Sequence, residues 1–67
     1  MTMKLTVNGR ESDSNADTVR DLITELALTG RAVAVEVNKM LVPHRQHETT
    51  KLNNGDVIEI VTLVGGG

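Results

Sequence analysis

Three segments of this chain alternate inward and outward residues with a period of two: Met3-Lys4-Leu5-Thr6-Val7, Val33-Ala34-Val35-Glu36-Val37 and Val57-Ile58-Glu59-Ile60-Val61. Successive side chains of a strand point to opposite faces, so each segment carries one apolar face that must be hidden. Met3, Leu5 and Val7 form the first face, Val33, Val35 and Val37 the second, Ile58 and Ile60 the third. A chain of 67 residues has room for one small domain. The strands must therefore share a sheet, and something must cover it.

The cover is a single helix. Val19, Leu22, Ile23 and Leu26 fall at i, i+3, i+4 and i+7, one apolar stripe. Asp17 or Thr18 caps its start, and Asp21, three residues after Thr18, gives a weak capping box. Asp17 and Asp21 also suit the positive end of the helix dipole. Gly30, after Leu28-Thr29, is read as the stop, which predicts a helix over Thr18 to Leu28. Asn8-Gly9 is a strong hairpin signal, and the polar stretch Arg10 to Asp13 is read as the return strand near a sheet edge. Ser14 to Asp17 reads as loop. Asn38-Lys39 is a turn into a short strand, Met40-Leu41-Val42, which Pro43 ends. His44 to Leu52 is polar without a period and is read as loop with one helical turn. Asn53-Asn54-Gly55-Asp56 is a further turn.

The expected fold class is α+β, a mixed sheet of four or five strands with one helix across it. Its core is expected to include Val7, Leu22, Ile23, Leu26, Val35, Ile58 and Ile60. That core must be aliphatic, because the chain has no Phe, Trp, Tyr or Cys. The absence of Cys removes disulfides and thiolate metal sites. A net charge of -2 and the lack of aromatics argue against a nucleic-acid partner. No apolar run approaches the roughly 20 residues of a membrane span, so the protein is expected to be soluble and cytoplasmic, without a membrane partner.

Side-chain chemistry is sparse. His44 and His47 share a face of a helical turn if one forms, yet Glu48 is the only carboxylate close by, and a metal site needs more ligands. Both are read as solvated loop histidines. No glycine loop suits a phosphate, and no Ser, Thr or His pattern suits a nucleophile. Asp56 is read as a turn residue bonding its own backbone. Val57, Glu59, Val61 and Leu63 should face away from the core, where Val61 and Leu63 form either ordinary surface or a docking patch.

The chain runs from that last strand into Val64-Gly65-Gly66-Gly67. A glycine end has two readings. It is a frayed terminus, or it is a thin arm whose carboxylate reaches into a partner. Four extended residues reach roughly 13–14 Å at ~3.3–3.6 Å each. The division expected is a domain over 1–64 and a flexible glycine tail over 65–67.

Val33 to Asn38, Leu41-Val42-Pro43, and Asn54-Gly55-Asp56-Val57-Ile58-Glu59-Ile60-Val61 with the terminal Gly-Gly together resemble the ThiS family. These are sulfur carriers of thiamine biosynthesis with the β-grasp, ubiquitin-like fold. The resemblance spans essentially the whole chain. Gly65 adds a third glycine before the diglycine, and Leu63 stands where an aromatic or another apolar residue is often seen. The resemblance implies a carrier rather than an enzyme, with no cofactor of its own. Gly67 would be adenylated by a ThiF-like enzyme and converted to a thiocarboxylate, with sulfur ultimately from a cysteine desulfurase. A ThiG-like thiazole synthase would take that sulfur. Val61, Leu63, Val64, Gly65 and Gly66 would serve partner recognition. The alternatives are the small-subunit carrier of molybdopterin synthase and a β-grasp binding module whose tail does nothing.

Overall fold

The computed structural model describes residues 2–63. The expectations placed on Val64 and on the tail Gly65, Gly66 and Gly67 lie outside them. Five strands and one helix follow in chain order: β1 (Met3–Val7), β2 (Arg10–Ser14), α1 (Val19–Glu25), β3 (Val33–Val37), β4 (Met40–Val42) and β5 (Val57–Thr62). A 3-10 turn, His44–Gln46, lies between β4 and β5. The strands form one sheet in the order β2-β1-β5-β3-β4. β1 and β5 pair in parallel, and the remaining neighbours are antiparallel. The sheet is thus mixed, with five strands.

The period-two pattern sets which face is buried. Leu5, Val35 and Ile58 are completely buried, and Ile60 nearly so. From the helix, Val19, Leu22 and Ile23 close the same core, with Ala16, Val42 and Leu52 at its margins. Met3, Val7, Val33 and Val37 pack against it while partly exposed. Val7 is therefore a flank of the core and not its centre.

The helix begins as its sequence specifies. Thr18 Oγ1 accepts from the Asp21 amide at 3.1 Å, and an Asp21 carboxylate oxygen accepts from the Thr18 amide at 3.2 Å. Both halves of the capping box are present. The helix end differs from expectation. Helical residues stop at Glu25, and Leu26, expected in the core, is 41% exposed. Ala27 adopts φ +60°, a left-handed conformation usually left to glycine. The Ala27 amide bonds the Thr24 carbonyl at 3.0 Å and the Leu28 amide bonds that of Ile23 at 2.9 Å. This bond pair is the Schellman closure. It ends the helix before Leu26 can complete the stripe, and Leu28 packs against the core instead. Gly30, at φ +86°, belongs to the following turn.

Ser14, expected in a loop, is the last residue of β2 and is buried. Its hydroxyl donates to Glu25 Oε1 at 2.6 Å, while Glu25 Oε2 accepts from the Asn15 amide at 2.9 Å. One carboxylate thereby ties the end of β2 to the end of α1. The segment from His47 to Leu52 is anchored to the start of the helix by backbone bonds, among them Arg20 amide to His47 carbonyl at 2.8 Å and Leu52 amide to Asp17 carbonyl at 2.9 Å.

Candidate functional site

β5 occupies the middle of the sheet and is the last strand before residues 64–67 in the sequence. Two turns hold it. Asn8 and Asn38 each open a turn at φ +51°, followed by Gly9 at +81° and Lys39 at +70°. Asparagine tolerates this region better than other non-glycine residues. In both turns its backbone and its side chain bond β5.

The parallel pairing of β1 with β5 ends at Val7 and Ile58. Beyond it the Asn8 amide N–H donates to the Ile58 carbonyl at 2.9 Å. The Asn8 side chain then accepts from the Ile60 N–H at 2.8 Å and donates to the Ile60 carbonyl at 3.1 Å. The carboxamide stands in for one more residue of strand. On the other side, Asn38 donates from its backbone to the Val57 carbonyl at 2.7 Å and accepts from the Val57 N–H at 2.9 Å. Its Nδ2 donates to Asp56 Oδ1 at 2.9 Å. Asp56 Oδ2 accepts from the Asn53 amide at 2.8 Å, so the expected local turn bond is present and a second partner is added. At the far end, the Leu63 amide donates to the Ala32 carbonyl at 2.8 Å.

The outer face of the sheet carries the residues that the pattern turns outward. Val61 is 58% exposed, opposite Ala34 of β3. Val57 is 46% exposed, and Leu41 of β4 is 66% exposed, opposite Glu36. Glu36 and Glu59 face each other across β3 and β5, and both are exposed. Leu63, 54% exposed, lies past the last residue of β5 and borders a groove of about 690 Å³. Arg20, Ile23, Arg31, Val33 and His47 line the same groove. Val61 and Leu63 thus both reach solvent, Val61 on the sheet face and Leu63 beside the helix.

The histidines divide. His44 is exposed, as expected of a loop residue. His47 is only 2% exposed, which corrects the reading of it as solvated. Its Nε2 lies 3.1 Å from the Val42 carbonyl, which can only accept, so that nitrogen carries the hydrogen. A polar ring is buried here because its donor is satisfied. The two rings lie 5.2 Å apart between centroids. Glu48 turns away to Arg20 at 3.0 Å. Among the described residues no three His, Cys, Asp or Glu side chains gather into a metal site. No helix among them is long and apolar enough to cross a membrane.

Sequence reasoning missed the roles of Asn8 and Asn38. Each was legible as a turn former, but the strand its amide would serve is distant in sequence. The facing of Glu36 and Glu59 was missed for the same reason.

This architecture, with one helix on a mixed five-stranded sheet and a central last strand, has close counterparts. The model of the ThiS family matches residues 4–67. The chain belongs to the ThiS family. A sulfur carrier protein ThiS of Bacillus subtilis is 37% identical to this ThiS-family chain, over 94% of this chain and 98% of that one. The crystal structure of a ThiS from Geobacter metallireducens superimposes with a TM-score of 0.80 at 32% identity, covering 97% of this chain and all of that one. A thiazole synthase of Paramagnetospirillum magneticum is 44% identical over 97% of this chain, but the chain spans only 20% of its length. The expected β-grasp architecture is that of the ThiS structure.

Proposed function

We propose that this chain is the sulfur carrier of thiamine biosynthesis and that its reactive group is the carboxylate of Gly67. The observation that carries the reading is family membership over residues 4–67, a match that runs through the final glycines. The chain is a carrier and not an enzyme. A free α-carboxylate, with pKa about 3.3–3.7, is ionised at neutral pH and a poor electrophile. A ThiF-like enzyme activates it with ATP, joining the carboxylate oxygen to AMP and releasing pyrophosphate. Sulfur, ultimately from a cysteine desulfurase and brought to the sulfide level by a thiol reductant, then displaces AMP and leaves a thiocarboxylate. A ThiG-like thiazole synthase is the acceptor. The glycines put no Cβ beside the reacting carbonyl. Val61 and Leu63, both exposed, serve with Val64, Gly65 and Gly66 in partner recognition. The domain over 1–64 works as the handle and 65–67 as the arm.

The test is intact mass after incubation with ATP, the adenylating enzyme and a sulfur source. Wild-type protein is expected to exchange one oxygen for one sulfur. A residue added beyond Gly67 moves the carboxylate by roughly 3.3–3.6 Å. Reacting groups must lie within about 3–3.5 Å in aligned geometry. The extended protein should therefore bind the enzyme and yet fail to be activated. Activation of it at the wild-type rate would exclude Gly67 as the reacting residue.

A further inference from the structure

Glu36 and Glu59 are directly opposite one another in the antiparallel pairing of β3 with β5. Side chains in that relation have Cβ atoms about 4.5–5.5 Å apart, and like charges there destabilise a sheet. Both lie on the outer face, away from the core, and among the described residues neither has an ion-pair partner. No ion pair among the described residues offsets the repulsion. The neighbours Leu41, Val57 and Val61 are apolar and exposed, and Ala34 is half-buried. Leu41 stands beside Glu36 in the same row across the sheet, Val57 and Val61 precede and follow Glu59 on the same side of β5, and Ala34 faces Val61.

We infer that this face docks on the thiazole synthase through a cationic side chain seated between Glu36 and Glu59 and framed by Leu41, Val57 and Val61. Two carboxylates about one strand spacing apart can accept the fork of one guanidinium together. The apolar frame excludes water from that contact and strengthens it. The inference rests on the carrier reading above. The thiazole synthase is favoured as occupant because in Paramagnetospirillum magneticum a protein of that name holds, in a fifth of its length, a stretch 44% identical to this chain. There a stretch like this chain and the rest of a protein so named are one polypeptide. The face is also continuous with Val61, which precedes the tail that must be delivered.

The test is binding of the full chain to its cognate thiazole synthase at low and high salt. Glu36→Gln with Glu59→Gln should weaken binding about five- to tenfold at low salt, since rim and partly desolvated charges act in that range. The gap should close towards 1 M salt, where the screening length falls to about 3 Å. Glu36→Lys with Glu59→Lys should weaken it further. The glutamine pair should melt at or above the wild-type temperature, because a repulsion is gone. A purely structural role for the acids would give the opposite sign. Glutamine variants that bind as tightly as wild type at low salt would overturn the inference. So would loss of binding to the adenylating enzyme alone, or a self-association that these changes abolish. Thiocarboxylate formation on the wild-type chain is followed in parallel. If none forms, the carrier reading fails; if it forms and the variants still bind normally, only the docking inference fails.

Discussion

Replacing Asn8 separates what its backbone conformation contributes from what its side chain contributes. Asn8→Ala removes two hydrogen bonds to Ile60, one of 2.8 Å to its N–H and one of 3.1 Å to its carbonyl. Each is worth about 0.5–1.5 kcal/mol net, and partial exposure points to the lower half of that range. Alanine must also hold φ +51°, where an L-residue with a Cβ loses roughly 1–2 kcal/mol. The sum is about 2–4 kcal/mol. A domain of this size has a total stability of only about 3–10 kcal/mol, at roughly 0.05–0.15 per residue. Each kcal/mol moves the midpoint by about 4–8 °C in a small domain, so a fall of about 8–32 °C is expected. Asn8→Gly keeps the conformation and loses only the carboxamide, apart from about 0.5–1 kcal/mol of added chain freedom. It should fall between wild type and Asn8→Ala. Thermal and denaturant melts give the stabilities, and amide exchange at Ile60 reports the bond itself. Unchanged Ile60 protection in both variants, with Asn8→Gly as stable as wild type, would refute the role given to the side chain.

Ala27→Gly should stabilise the protein by about 0.5–1 kcal/mol, because relief of the left-handed strain at φ +60° exceeds the added freedom of the unfolded chain. A lower denaturation midpoint would show that Ala27 packs in a way its exposure does not suggest. His47→Ala should cost about 2–3 kcal/mol, since it leaves a cavity and an unpaired Val42 carbonyl. His44→Ala should stay within about 0.5 kcal/mol of wild type in the same urea titration. Equal costs for the two histidines would contradict the burial difference between them.

Local periodicity made the elements legible. Alternation identified β1, β3 and β5 and the correct inward phase of Leu5, Val35, Ile58 and Ile60, because a strand's side-chain period is fixed by covalent geometry. Asn8-Gly9, Asn38-Lys39 and the Thr18–Asp21 box marked turns and a helix start through interactions that span four residues or fewer. Family resemblance rested on the same short stretches. The tertiary structure decided what depends on partners far away in sequence. Whether Leu26 or Leu28 meets the core turned on Ala27 taking a left-handed conformation that neither residue encodes alone. His47 is buried because the Val42 carbonyl is there to accept its hydrogen. Asn8 serves Ile60, 52 positions away, and Glu36 confronts Glu59, only because β5 enters the sheet between β1 and β3. A sequence pattern specifies which face of an element is apolar. Which distant groups that element meets is set by the order in which the strands assemble, and that order is a property of the whole chain.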